Sequence, residues 1–269
     1  MVNIVEKIEC PNCGAPLKVK AGEIIITCEY CGTAVNLKAE KPFVLKHSII
    51  PNTLSMKEAE SAVKTWMKSG FAMPSDLARK SYFKKVELLF LPFYVVTAHA
   101  TTEYEGILTR TGQEKPISDT ITREYQWTIL GRRSTQFPER EYTLPLSGKA
   151  SFDLSVVEGK FLHAELDEKE AHEKTRLKIK DHQEYLAKEK VDHITTSDTV
   201  IDIKDCEFVH APIWVIEYEY QGHVHNVIMD GATGSIIKGD IPVHEGGVWW
   251  IWIIAVLIII FGILILFVI

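Results

Sequence analysis

Two ten-residue stretches share a pattern of hydrophobic and polar positions. Residues 91–100 read LPFYVVTAHA and residues 211–220 read APIWVIEYEY. Both alternate and are rich in β-branched and aromatic residues, which predicts a β-strand for each. Pro92 and Pro212 stand at the same place in the two stretches, 120 residues apart, and strands tolerate a proline at their start or at a bulge. The match predicts an internal repeat, with chance similarity of two β-rich segments as the alternative.

A helix is predicted before each of these strands. Ser55 and Glu58 form the pattern of a capping box, which begins a helix that runs through Met67 and stops near Gly70. The second helix is predicted at about residues 167–190 and is mostly charged, with Glu and Lys spaced four apart on its surface. A helix followed by strands in both halves predicts an α+β fold, with a duplicated helix-plus-antiparallel-sheet body.

Further strands are predicted after each repeated stretch. Residues 222–242 contain the turn sequence DGATG between two apolar runs, which is typical of a hairpin. Residues 122–130 alternate as TREYQWTIL, and the short apolar-rich runs at 142–146 and 152–157 also predict strands. These expectations divide the body into a first repeat at 43–165 and a second repeat at 166–243.

Four cysteines stand in two Cys-x-x-Cys pairs near the N-terminus, Cys10 with Cys13 and Cys28 with Cys31. A glycine follows each pair, which lets backbone N–H groups face the thiolates. Two such knuckles supply four sulfurs to one tetrahedral Zn²⁺ and leave no position open, which is typical of a structural site. The alternatives are a disulfide pair and a thioredoxin-like redox motif, but the latter needs one pair within a βαβ pattern that is absent from the sequence.

The segment between the cysteine pairs predicts a hairpin, with strands at 17–19 and 24–27 and a turn at 21–22. The stretch resembles the zinc ribbons of the transcription-factor-B and rubredoxin type, a likeness that covers about a tenth of the chain. Residues 1–46 contain six lysines and five acidic residues, and four thiolates with one Zn²⁺ add about −2. Because the whole chain carries −6, nucleic-acid binding, which needs a concentrated positive face, is not expected.

The last twenty-two residues, 248–269, read VWWIWIIAVLIIIFGILILFVI and carry no charge. At about 1.5 Å per residue, a helix of this length spans the hydrocarbon core of a bilayer. Three tryptophans at its start fit an interfacial aromatic belt, and a buried core helix is the alternative. The sequence therefore predicts a C-terminal transmembrane anchor at 244–269, a contact with the lipid bilayer through 248–269, and a single-pass protein of the cell membrane whose N-terminal bulk is cytoplasmic.

Candidate catalytic residues are sparse. His223 and His225 would share one face of a strand and could bind a metal together with His210 on the preceding strand. A solvated sheet face is the alternative for these histidines. Cys206, the fifth cysteine, is predicted to be a small buried hydrophobic side chain rather than a nucleophile. The sequence contains no Gly-x-x-x-x-Gly-Lys-Ser/Thr loop and no His-Glu-x-x-His motif.

Two resemblances concern larger parts of the chain. The hairpin around DGATG resembles the closing hairpin of PepSY-type domains, small helix-plus-sheet modules of membrane-associated and inhibitory proteins. The whole arrangement, with a zinc ribbon at 1–42, a duplicated body and an apolar tail, resembles poorly characterised prokaryotic, in particular archaeal, membrane-anchored zinc-ribbon proteins.

These features together predict a non-enzymatic, tail-anchored protein. Its ribbon and α+β body are expected to bind a protein partner as an adaptor, scaffold or assembly factor, with one structural Zn²⁺ per chain and no other cofactor. A membrane-tethered metal-dependent hydrolase that uses the three histidines is the first alternative. A membrane-bound transcription regulator is the second.

Overall fold

The computed structural model describes residues 8–20, 22–37, 44–45, 47–70, 73–109, 112, 114–133, 137–138 and 142–242. Short strands form at the N-terminal end, namely β1 (Ile8–Glu9), β2 (Pro16–Leu17), β3 (Ile25–Thr27), β4 (Ala34–Asn36) and β5 (Val44–Leu45). The following elements are β6 (His47–Ile49), α1 (Met56–Ser69), α2 (Leu77–Lys80), β7 (Tyr82–Leu108), β8 (Lys115–Leu130), β9 (Ala150–Ser151), β10 (Lys160–Phe161), α3 (Glu168–Lys188), β11 (His193–Tyr220), β12 (His223–Asp230) and β13 (Ile236–Gly239).

Two long strands, β7 and β11, run antiparallel through the centre of an eight-stranded sheet. β8 pairs with β7, β12 pairs with β11, and β13 continues the sheet beyond β12. Residues 90–96 of β7 and 207–214 of β11 are buried at every position, because both faces of the sheet are covered there. The predicted strands at 91–100 and 211–220 are confirmed, and each extends further than expected.

The middle of the sheet has matching neighbours on its two sides. In the register of β7 and β11, Leu91 faces Ala211, and these two positions are themselves 120 residues apart. The short strand β10 runs parallel to β7 at residues 89–90, and β6 runs parallel to β11 at residues 208–210. Each long strand therefore receives a short parallel strand just before its proline.

The two prolines that suggested the repeat also have matching contacts. The carbonyl oxygen of Pro92 accepts a hydrogen bond from the N–H of Gly131, and that of Pro212 accepts one from the N–H of Gly231, both at 2.8 Å. Both glycines directly follow the strand that pairs with the proline-containing strand. The backbone thus has the same local arrangement on both sides of the Leu91–Ala211 pair.

Both predicted helices are confirmed, and each begins with a capping box. Ser55 Oγ accepts a hydrogen bond from the N–H of Glu58, whose carboxylate accepts one from the N–H of Ser55. Asp167 and Glu170 make the same reciprocal pair at the start of α3. These caps satisfy N–H groups that an isolated helix end leaves without partners.

The helices cover different parts of the sheet. α1 buries Ala59, Val63 and Met67 in a core cluster that also contains residues of β7, β11 and β12. α3 places Ile179 against β7 and β8, and its C-terminal Ala187 against Tyr104 of β7. Each helix therefore packs partly on the hairpin that follows the other helix in the chain.

The predicted strands at 142–146 and 152–157 are wrong. Residues 142–145 are irregular, and 3-10 turns form at Leu146–Gly148 and Leu154–Val156. Tyr142 is buried from a loop and donates its hydroxyl hydrogen to Asp230 Oδ2 at 2.6 Å. The apolar residues of this segment fill the core without strand pairing, which explains why their composition resembled that of strands.

The DGATG hairpin forms as predicted between β12 and β13. Oδ1 of Asp230 accepts hydrogen bonds from the N–H groups of Ala232 and Thr233, both at 2.8 Å, and so closes the turn. Gly234 adopts a positive φ of +73°, which a glycine tolerates without steric cost.

The described ranges contain no helix that is long and apolar enough to cross a membrane. α1 has 14 residues with one apolar side, and the 21-residue α3 is dominated by charged side chains. This finding contradicts the predicted single-pass location in the cell membrane. Residues 244–269, on which the predicted anchor and its lipid contact rested, lie outside the described residues.

Replacing Gly231 by alanine is expected to lower the free energy of unfolding by about 1–3 kcal/mol, because the new methyl group overpacks the turn. A Cβ there would lie 2.8 Å from Asn52 Oδ1 and 3.0 Å from the carbonyl oxygen of Pro212. Denaturant unfolding measures the change. Gly148→Ala is the matched control, since a Cβ at Gly148 meets nothing within 4 Å. Equal stability of the two variants would contradict the close approach described here.

Candidate metal centre

Four cysteine thiols meet near the N-terminus. The Sγ atoms of Cys10, Cys13, Cys28 and Cys31 all lie within 4.8 Å of one another. Sγ of Cys10 is 3.7 Å from Sγ of Cys31, and Sγ of Cys13 is 3.7 Å from Sγ of Cys28. Four sulfurs placed tetrahedrally at about 2.3 Å from a central ion would be about 3.8 Å apart. The cluster therefore has the dimensions of a four-thiolate site and could hold a metal ion.

Each Cys-x-x-Cys pair forms the tip of its own hairpin. The first pair lies between β1 and β2, and the second between β3 and β4. Gly14 and Gly32 follow the pairs with φ of +73° and +71°, and each donates its N–H to the carbonyl oxygen of the first cysteine of its pair. The hairpin predicted between the pairs, with strands at 17–19 and 24–27, is wrong because β2 pairs with β1 and β3 pairs with β4.

The thiols differ in their surroundings. Cys10 and Cys28 are buried, whereas Cys13 and Cys31 are exposed. Desolvation opposes ionisation of Cys31, but hydrogen bonds with the side chain and backbone of Thr33 outweigh it and lower the pKa of this thiol to about 6. Asn12 donates its amide hydrogen to the same Thr33 hydroxyl at 3.0 Å and so links the two knuckles.

Residues 8–20 and 22–37, called the ribbon below, are joined to the body by backbone hydrogen bonds. The N–H groups of Ile24 and Ile25 donate to the carbonyl oxygen of Ala164 at 2.8 and 3.2 Å, and the N–H of Ala164 donates back to Ile25. The N–H of Thr27 donates to Nδ1 of His163 at 3.2 Å. Ile24 and Ile25 are also buried in a core cluster with residues of β7 and α3. The ribbon therefore pairs through its backbone with the segment between β10 and α3 and shares a hydrophobic core with the sheet.

Two histidines connect the second knuckle to the centre of the sheet. Nδ1 of His47, on β6, lies 3.4 Å from the carbonyl oxygen of Gly32, and Nε2 of His47 lies 2.7 Å from Nδ1 of His210 on β11. Nε2 of His210 lies 2.9 Å from the carbonyl oxygen of Leu162. A continuous polar path thus runs from the knuckle through two imidazole rings to the segment that follows β10.

The surroundings of these rings keep them neutral at pH 7. Burial lowers the pKa of His47 to about 4 and that of His210 well below its usual value. Phe152 stacks on His47 and Phe161 stacks on His210, each with ring centroids 4.0 Å apart. Burial also lowers the pKa of His163, which directly precedes Ala164. All three histidines therefore act as structural groups in the interface between ribbon and sheet.

The predicted cluster of three histidines does not form. His223 and His225 lie on β12, opposite Tyr220 and Tyr218 of β11. His210 precedes Tyr220 by ten positions, which is about 33 Å along an extended strand. The metal-ligand clusters among the described residues include none of these three histidines. These three histidines therefore do not share a metal-binding face in the described structure.

A second cluster of ligand-type side chains was not predicted from the sequence. Glu168 and His172 of α3 and Cys206 of β11 each offer one ligand atom, and these atoms lie within 4.8 Å of one another. The four-residue spacing of Glu168 and His172 is visible in the sequence and places both on one side of a helix. The approach of Cys206, which is half-buried, depends on the tertiary packing of α3 against β11.

The fold and the site together define the class of protein: a mixed α/β chain with a large, mainly β body, few helices and a cysteine cluster at its N-terminal end. The chain is similar to the uncharacterised protein YdjG of Bacillus subtilis strain 168, with 23% identity over 227 residues. The match covers 74% of this chain and 64% of YdjG, so the chain spans less than two thirds of that relative.

No protein-family model matches the chain, and no solved structure matches it significantly. The resemblances to PepSY-type domains and to archaeal membrane-anchored proteins therefore gain no support from these comparisons. The relative is a bacterial protein of uncharacterised function.

The neutral buried histidines are expected to make the fold less stable in mild acid. In the unfolded chain a histidine takes up a proton near pH 6.5, whereas folded His47 stays neutral down to about pH 4. The unfolded state thus binds more protons between these values, so the free energy of unfolding falls as the pH falls. The expected slope is about 1.4 kcal/mol per pH unit from His47 alone, measured by denaturant unfolding at a series of pH values.

His47→Gln should reduce that slope by about one proton, since the substituted side chain no longer titrates. His223→Gln is the control, because it replaces an exposed histidine of β12. Comparison of the two variants removes the contribution of carboxylates and thiols, which both variants retain. An identical slope in the two variants would show that His47 is not held neutral by the fold.

Proposed function

We propose that the chain is a non-enzymatic, protein-binding adaptor whose ribbon is held rigid by one structural Zn²⁺ at Cys10, Cys13, Cys28 and Cys31. Zn²⁺ is the ion that four thiolates at tetrahedral spacing most commonly hold. Four protein ligands leave no coordination position for a substrate, so the ion at this site contributes to structure rather than to a reaction. A ribbon of this size depends on its metal for folding, since it is too small to bury a sufficient core alone.

The exposure of Tyr30 between two cysteines of the cluster is the observation that supports the proposal. It lies between Cys28 and Cys31 at the tip of the second knuckle and is 70% exposed. The base of the same knuckle packs on the body, where a Cβ at Gly32 would lie only 2.7 Å from Cδ1 of Phe152. Tyrosine is enriched among residues that dominate binding energy, and a loop closed by two metal ligands loses little conformational freedom on binding.

The surface around Tyr30 has the composition of a binding site for protein. Lys18 and Glu29 form an exposed ion pair of 3.2 Å across the two hairpins. An exposed aromatic side chain bordered by polar groups resembles the centre and the rim of a protein–protein interface. The backbone hydrogen bonds of Ile24 and Ile25 with Ala164 would hold this surface in a fixed orientation relative to the body.

The charge of the ribbon argues against nucleic acid as the partner. Lys18 and Lys20 are the basic residues in the described part of the ribbon, where Glu9, Glu23 and Glu29 outnumber them. A zinc ion with four thiolates adds about two further negative charges. Binding to a phosphate backbone requires the opposite balance.

We further infer that the body consists of two halves, residues 43–165 and 166–243, derived from an internal duplication. The matched hydrogen bonds of Pro92 with Gly131 and of Pro212 with Gly231 support this inference. Because α1 packs on β11 and β12 while α3 packs on β7 and β8, the halves would fold as one unit. A single unit offers the ribbon a rigid support.

Photo-crosslinking tests the adaptor proposal directly. A benzoylphenylalanine in place of Tyr30, in the full chain in its native cells, is expected to give a discrete protein adduct on irradiation. The same substitution at Tyr185, which is 56% exposed on α3, is the matched control and should give no such adduct. Absence of an adduct at Tyr30, or the same adduct from both positions, would contradict the proposed binding surface.

The contribution of the metal is tested by Cys28→Ser/Cys31→Ser in the same crosslinking background. This double variant is expected to lose the zinc of the ribbon, because two of the four ligands are gone, and to lose the Tyr30 adduct with it. Elemental analysis of the purified protein measures the zinc. His223→Ala should retain both the zinc and the adduct. An adduct that survives loss of the zinc would contradict the proposal that the metal holds the ribbon in the shape that binds the partner.

A further inference from the structure

Glu168, His172 and Cys206 lie together where the start of α3 crosses β11. Nε2 of His172 is 3.7 Å from Oε1 of Glu168, and one ligand atom of each of the three residues lies within 4.8 Å of the others. Cys206 packs against the core cluster that contains Ala171 of the same helix and Tyr94 of β7. Carboxylate, imidazole and thiol thus meet at a partly buried position, far in sequence from the four cysteines of the ribbon.

His172 has an unmet hydrogen-bonding requirement at this position. Its Nε2 atom is shielded from solvent and has no hydrogen-bond partner among the described residues. The side chains of His172 and Glu168 are 26% and 34% exposed, so the pair differs from an ordinary solvated pair on a helix surface. A buried ring nitrogen without a partner is unfavourable, and its position beside the carboxylate of Glu168, with the thiol of Cys206 in the same cluster, suggests a ligand among the three side chains.

We propose that Glu168, His172 and Cys206 form a second metal site, for a divalent transition-metal ion of the Zn²⁺ type. The three side chains would supply one carboxylate oxygen, one imidazole nitrogen and one thiolate sulfur, a mixed set that suits zinc and its neighbours in the first transition row. Three protein ligands leave the fourth tetrahedral position to water or to another small ligand. This site differs in that respect from the closed site of the ribbon.

The geometry requires only a small adjustment. Donor atoms around a tetrahedral zinc ion are about 3.3–3.8 Å apart, so two ligand atoms at the 4.8 Å limit would have to approach by about 1–1.5 Å. The partly exposed side chain of Glu168 can supply this movement by rotation, since it lies in the first turn of α3. His172 and Cys206 stay in place on a helix and a strand, the kind of rigid support that precise ligand placement needs.

The thiol of Cys206 is unsuited to act as a nucleophile without a metal. Burial, with the nearby carboxylate of Glu168, raises the pKa of this thiol to about 12. A bound divalent ion would displace the thiol proton and form a metal–thiolate bond, with the proton released to solvent.

Metal stoichiometry of the full-length protein tests the second site. After saturation with Zn²⁺ and removal of free ion by gel filtration, the wild-type chain is expected to hold two equivalents by elemental analysis. Cys206→Ser and His172→Gln should each hold one, and Cys28→Ser/Cys31→Ser should also hold one. His193→Ala is the matched control with two equivalents, because His193 is exposed at the start of β11.

Cobalt absorption supplies a second readout, which reports ligation of the metal by a thiolate rather than metal content. Co²⁺ added to Cys28→Ser/Cys31→Ser, in which the ribbon site is disabled, should give a thiolate-to-metal absorption band weaker than that of the four-thiolate site. Addition of Cys206→Ser to that variant should abolish the band. Retention of the band would assign it to the remaining ribbon cysteines and overturn the second site.

The outcomes separate this site from that of the ribbon. A wild-type chain with one equivalent, which is lost in Cys28→Ser/Cys31→Ser and kept in Cys206→Ser, overturns the second site and leaves the ribbon zinc intact. A single equivalent that is lost in Cys206→Ser and kept in the ribbon variant supports the second site and overturns the ribbon zinc. Two equivalents that both survive Cys206→Ser also overturn the second site.

Discussion

The pairing of β7 with β11 is the contact on which the rest of the structure depends. Its register sets which face of the sheet each side chain occupies: Tyr94 and Phe208 point to the face that holds the ribbon, whereas Phe93 and Val209 point to the opposite face. A slip of one residue would exchange the two faces and expose both sets of side chains to the wrong neighbours. Strand β6, strand β10 and both helices take their positions from this one register.

The ribbon, at the N-terminal end of the chain, takes its position from contacts with this sheet and with the segment beside it. It contacts the sheet through the backbone joint at Ala164, through Ile24 and Ile25 in the shared core, and through His47 and His210 beside the second knuckle. The four cysteines bring the two hairpins of the ribbon together, and the contacts just named join the ribbon to the rest of the protein. Tyr30 lies in the part of the knuckle that faces solvent, together with Glu29 and Cys31.

Sequence motifs that depend on a few neighbouring residues predicted the corresponding local structures. The capping box at Ser55, the cysteine spacing and the DGATG turn each depend on a few neighbouring residues, and the structure contains all three. Such motifs do not predict which strands pair with each other when they are separated in the sequence. The apolar run before Cys28 was assigned to a hairpin with residues 17–19, although β3 pairs with β4 after the cysteines.

Three further differences also arise from contacts between residues that are far apart in the sequence. His210 was grouped with His223 and His225 by its position in the sequence, yet its burial follows from β6 and from the segment after β10, which lie far away in the chain. The cluster at Cys206 required the packing of α3 on β11, which no spacing in the sequence reveals. Side chains of the segment 142–157 enter the core from loops, and apolar composition alone does not distinguish such a segment from short strands.

Hydrogen exchange followed by mass spectrometry, with and without a zinc chelator, most directly tests whether metal and sheet together hold the ribbon rigid. In the metal-loaded protein the amides of Ile24 and Ile25 should exchange slowly, because they are bonded to Ala164, and the non-proline amides of residues 90–96 in β7 should exchange slowly as well. After chelation the ribbon amides should lose protection while residues 90–96 keep theirs. Rapid exchange of Ile24 and Ile25 in the metal-loaded protein, with β7 still protected, would contradict a ribbon fixed to the sheet.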